Sequence, residues 1–166
     1  MTDKSSFARD EWTLLLESPM IAGMAITAAD PSGLWGVLKE SLVGGGALAK
    51  ATMDSNTNAL VKAVAVDFAT AEGRLVAREG LKTRLGNSKA PDVKAKCIEA
   101  LHQISALLDA KAPADAPAFK NWLRLISQNT ADAATEGGFA GFGGTPVSEA
   151  EKATLGEISN ALKLAA

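Results

Sequence analysis

The chain is predicted to be all-α: a single domain, residues 1–166, in which about seven helices form an orthogonal or bundle-like array around a buried Gly/Ala-rich helix. Three observations predict this. Ala, Leu, Glu and Lys are plentiful, Tyr is absent and Thr, Ile and Val are scattered, which leaves little material for strands. Apolar residues recur every three or four positions along most of the chain, the spacing of a helix with one buried face. Prolines and cap-forming residues stand where such segments begin. A chain of 166 residues is long enough to bury roughly two-thirds of its unfolded surface, so no disulfide or metal is needed to hold it.

Taken in order, Ser5 or Ser6 can cap a first helix, with Asp10 and Glu11 near its positive end and Trp12, Leu15 and Leu16 facing the core. Ser18-Pro19 reads as a second cap followed by a first helical residue. Met20, Ile21, Met24 and Ile26 then cover nearly the whole circumference of a helix surrounded by others. The stretch from Pro19 to Lys50 is expected to thread the interior. Asp30-Pro31 repeats the signal and opens a third helix through Trp35, Leu38 and Val43, interrupted by Gly44-Gly45-Gly46 before a helical Ala47–Met53.

Asp54–Asn58 is rich in cap residues and precedes the longest periodic segment. Leu60, Val64, Phe68, Ala71 and Leu75 predict one helix ending near Gly86, with all five on a buried stripe. Pro91 opens another, with Val93, Cys97, Leu101, Ile104 and Leu108 inward. Lys111–Pro117 reads as a linker, followed by a helix burying Phe119, Trp122, Leu123 and Ile126 and closing near Glu136. Ser148 and Glu151 form a capping box that starts a last helix with Leu155, Ile158 and Leu162 on one side.

A net charge of −2 argues against a generic nucleic-acid binder, and no nucleic acid is expected as a partner. The charge is nevertheless uneven. Between Arg74 and Lys96 seven basic residues face only Glu79 and Asp92. Arg74, Arg78 and Lys82, spaced i, i+4, i+8, form a ridge suited to an anion or an acidic protein surface. The uncharged run Ser18–Ala29 falls short of the roughly 20 apolar residues of a membrane span, and acidic residues precede it where a signal peptide would be basic. A cytoplasmic location is expected. Cys97 is the single cysteine and has no internal disulfide partner.

No pattern of cofactor chemistry is complete, and no cofactor or metal is expected. Gly44-Gly45-Gly46-Ala47-Leu48-Ala49 meets the looser dinucleotide fingerprint, but a helical pattern precedes it where a strand belongs. As a phosphate loop ending at Lys50 it has Ala49 and Ala51 where glycine and a hydroxyl residue belong. Asp54–Asn58 begins like a calcium loop, but Ala59 and Ala65 occupy the glycine and glutamate positions. His102 is the sole histidine and lies about 140° around a helix from Cys97, so the two form no local nucleophile and base.

Gly137–Pro146, GGFAGFGGTP, resembles neither helix nor linker. Phe139 and Phe142, with Gly141 and Gly143, form the loop most suited to contact a partner or to gate an apolar pocket. With the helix after it, GGFAGFGGTPVSEAEKATLGEISNAL resembles the C-terminal part of a group of small bacterial proteins of unknown function ending in GGFxGFGGxxVSxAEKAxLxEI. That resemblance implies a family and no activity. Ala22–Gly33 is more faintly similar to TerB-like helical domains, but Asp30 is followed by Pro31-Ser32 and the metal site of that family is not carried over. The expected function is therefore non-catalytic: a helical protein acting through a protein partner or by forming a homo-oligomer. The alternative is a small apolar-ligand binder gated by Phe139 and Phe142.

Overall fold

The computed structural model describes residues 2–29, 46–136 and 147–165. Among these residues, after a short 3-10 turn at Lys4–Ser6, come seven helices: α1 (Arg9–Ala29), α2 (Gly46–Met53), α3 (Ala59–Ala69), α4 (Ala71–Leu85), α5 (Ala90–Lys111), α6 (Ala116–Glu136) and α7 (Glu149–Ala161). Among the described residues there is no strand, and the helices pack on one another as an all-α bundle. The helix expected from Asp30-Pro31, Gly44 and Gly45 of the triple glycine, and the GGFAGFGGTP loop lie outside the described residues.

α1 is the axis of the bundle. It packs against α3, α4, α5, α6 and α7, most extensively against α5. Leu15, Leu16, Ile21, Ala22, Ala25 and Ile26 are buried on several of its sides, and the absence of bulk at Ala22 and Gly23 lets neighbouring backbones approach. Ser127 on α6 uses that closeness, its hydroxyl donating to the Ala22 carbonyl at 3.0 Å.

The helix break expected at Ser18-Pro19 does not occur; one helix runs through it. Pro19 has no amide to give the carbonyl of Leu15, four residues back, which would leave a buried acceptor unpaired. The Ser18 hydroxyl donates to that carbonyl instead, at 2.7 Å, so the serine bonds backward within the helix rather than forward as a cap. By length and composition α1, 21 residues containing an 18-residue window with a mean hydropathy of 1.3, is also apolar enough to cross a membrane. In the bundle 72% of that apolar window is buried against other helices, so here it serves as core.

The long helix expected from Leu60 to Gly86 is two helices. Thr70, extended at φ −73° and ψ 156°, ends α3 and caps α4, its hydroxyl accepting from the Gly73 amide at 2.9 Å and donating to the Asp67 carbonyl at 2.7 Å. The corner redirects the stripe. Leu60, Val64 and Phe68 are buried as expected, but Ala71 is exposed and Leu75 is 60% exposed. Asn58 caps α3 through the amides of Leu60 and Val61, which is the use the structure makes of the polar run before it.

α4 ends at Gly86, whose φ of +55° suits glycine and whose amide closes onto the Lys82 carbonyl. All five stripe residues expected on α5 are buried, as are the four expected on α6. The linker between them is shorter than expected, because helix resumes at Ala116 and places Pro117 in the first turn, where its missing amide costs nothing. The capping box of Ser148 and Glu151 forms with both hydrogen bonds in place.

Three carboxylates tie the bundle together and fix its acid response. Burial pushes the Asp67 carboxyl up, but hydrogen bonds from Lys4 and the Trp12 indole, at 2.9 and 2.7 Å, outweigh it and hold it below the usual range. Asp109 on α5 is lowered by hydrogen bonds from Lys120 on α6 and from Lys163 beyond α7. Glu11 is lowered by Lys111 and by the amide of Ala8. A carboxyl whose pKa is depressed on folding contributes stability above its unfolded value, lost as the pH falls through the folded one. The melting temperature is therefore expected to be flat near neutrality and to drop on acidification below about pH 4. Asp67→Asn should flatten that drop, as thermal melts across the range would show.

Candidate functional site

The outer face of α4 carries the structure's most distinctive surface. Gly73, Ala77 and Leu81 face inward. Opposite them Ala71, Leu75, Arg78 and Lys82, spaced i, i+4, i+7, i+11, form one exposed stripe. Among the described residues four large apolar side chains stand out in solvent: Met53, Val66, Leu75 and Leu125. Of these only Leu75 shares a stripe on its own helix with two cations. Neither cation has an ion pair or a side-chain hydrogen bond with a described residue, whereas seven other basic residues are paired with carboxylates.

The basic ridge expected at Arg74, Arg78 and Lys82 is thus on the surface, but only two of its members are without a side-chain partner among the described residues. Arg74 is half-buried and its guanidinium turns back to the Ala69 carbonyl, bracing the corner between α3 and α4. Leu75, expected in the core, takes its place in the exposed set. Its spacing to Phe68 pointed inward; the turn at Thr70 points it out.

On the other flank of α4 lies an open groove of about 780 Å³ against α1, rimmed by Arg9, Asp10, Thr13 and Glu79. Its floor is an ion pair. Glu17 on α1, 4% exposed, accepts from Arg84 Nε on α4 at 2.9 Å, and Arg84 also reaches Gln103 on α5. Gly80 makes room for it, since a Cβ there would sit 2.2 Å from Glu17 Oε1. Nothing in the sequence marked Glu17 as buried, because its partner is 67 residues away. The hydroxyls of Thr13 and Thr83 are turned to the carbonyls of Arg9 and Glu79 within their own helices, so the groove presents few free donors.

His102 is exposed beside a second open groove of about 480 Å³, with Lys94, Ile98, Glu99 and Glu157 around it. It makes no hydrogen bond or ion pair with a described residue; Glu157 is taken by Lys94 at 2.8 Å. No group of three His, Cys, Asp or Glu able to hold a metal occurs among the described residues. Cys97 is fully buried, and burial pushes its thiol up to about 12. It is a packing residue, and a thiol-specific reagent is expected to label it only in denaturant; full labelling of the native protein would contradict that. Phe139, Gly141, Phe142 and Gly143 lie outside the described residues. No protein-family model, curated protein or solved structure matches the chain.

Proposed function

We propose that the protein is a non-catalytic helical docking module that works by contact with another protein through the outer face of α4. The observation that supports this reading is the stripe of Leu75, Arg78 and Lys82, an exposed apolar residue beside two cations that have no side-chain partner among the described residues. Leu75 is 60% exposed, so a partner covering it would recover about 1–2 kcal/mol of burial. Arginine at such a face supplies both charge and contact area, as at many interface centres.

The test is site-specific photocrosslinking in the cells that make the protein, with a photoreactive side chain at position 75. The control carries it at position 106, which is also exposed but lies on α5. Discrete adducts at 75 that are absent at 106, and that excess wild-type chain but not a Leu75→Ser chain competes away, are expected if α4 docks a partner. Identical patterns at both positions would discard the reading.

A further inference from the structure

Resting on that reading of α4, we infer that the partner is an acidic amphipathic helix, with an apolar side chain set against Leu75 and carboxylates set against Arg78 and Lys82. Charge complementarity carries the inference. The stripe contains two positive charges and no negative one; Glu72 and Glu79 stand off it by about 70–90° around the helix, Glu79 on the rim of the groove. Arg78 and Lys82 are one turn apart, about 6 Å along the axis, and Leu75 is about 4.5 Å beyond Arg78. A helix carrying two glutamates at i and i+4 with a leucine three residues from the nearer one reproduces those intervals in either direction along α4.

The same geometry disfavours a second copy of the chain as occupant. A parallel two-fold pairing of α4 sets Arg78 against Arg78 and Lys82 against Lys82. An antiparallel pairing centred on the stripe sets Leu75 against Arg78. In neither does the stripe offer a carboxylate, because it has none. Nucleic acid fits less well, since a phosphate track needs a longer run of cations and gives Leu75 nothing to cover it.

The experiment uses the full chain and a labelled, helix-stabilised peptide with the Leu-x-x-Glu-x-x-x-Glu spacing, read by fluorescence anisotropy. Wild-type protein is expected to bind it, and the Arg78→Glu, Lys82→Glu double variant to weaken binding by about tenfold or more, because each favourable contact becomes a repulsive one. A peptide with lysine in place of glutamate should reverse that order, binding the double variant and not the wild type. Both side chains are exposed, and circular dichroism establishes that the variant is folded. Absence of peptide binding, equal affinity for both proteins, or binding to anionic vesicles or duplex DNA in place of the peptide would each overturn the inference. The docking reading is judged separately. A native partner lost on Leu75→Ser but kept by the charge-reversed variant leaves the docking face standing and removes the acidic partner.

Discussion

Gly73→Ala is expected to destabilise the protein by about 3 kcal/mol and to lower its melting temperature by roughly 10 °C. Ordinarily alanine would gain up to about 1 kcal/mol over glycine in a helix. Here a Cβ would lie 2.0 Å from the Asp67 carbonyl oxygen and 2.7 Å from its carbon, both backbone atoms in the last turn of α3. No rotamer relieves a clash with backbone, so α4 must shift, and with it the hydrogen bond between Gly73 and Thr70 that caps it. Gly156→Ala on α7 is the control, because nothing lies within 4 Å of its Cβ. It should raise the melting temperature slightly. Parallel thermal melts of the two variants decide the matter: a neutral Gly73→Ala would mean that the corner is looser than its geometry.

Arg84→Ala is expected to cost a similar amount, about 3 kcal/mol, by leaving the Glu17 carboxylate buried without a counter-charge. Attraction within the pair is the smaller part of that figure. Most of it is the desolvation of an ion that has lost its partner, so a Glu17→Gln, Arg84→Met double variant should recover at least half of the loss in urea unfolding. Gly80 supplies an independent check through a change of sign. In the wild type Gly80→Ala drives a methyl into the Glu17 carboxylate, held in place by Arg84, and should destabilise. With Glu17 and Thr13 both already replaced by alanine, which also removes the Thr13 methyl 3.1 Å from that Cβ, the obstacles are gone, and the same substitution should stabilise by up to about 1 kcal/mol. Additive effects at the two positions would show that Glu17 does not sit where the structure puts it.

The parts of the fold that the sequence displays are those decided locally. The α5 stripe from Val93 to Leu108 is buried at every position because a straight helix with one neighbour-facing side has to repeat at 3.6 residues. Ser148 and Glu151 satisfy each other's amides without help from any other element. Thr70 shows the limit of such reading. Ala71 and Leu75 continue the phase of Phe68, so periodicity hides the corner, and only the pairing of a threonine cap with a glycine three residues later marks it. Pro19 misled for a related reason: a serine before a proline has the same letters whether it caps a new helix or repairs an old one.

The candidate site was less legible than the fold. Arg78 and Lys82 were visible as a ridge, but not that they lack ion pairs among the described residues, nor that Arg74 turns its guanidinium to the Ala69 carbonyl. Glu17 and Gly80 carried no local signal, because a buried charge is specified by a residue far along the chain. The exposure of Leu75 follows from a change of direction at Thr70 that hydrophobicity does not record.

The position of α1 also governs the order in which this molecule can assemble. It leaves the ribosome before every helix that covers it, and α5, which covers most of it, follows more than sixty residues later. Until then the flank that α5 covers faces water or a chaperone. Such distant pairings slow folding, since a long loop must close before they form. The nascent chain is therefore most exposed to aggregation in the interval between the synthesis of its first helix and that of its fifth.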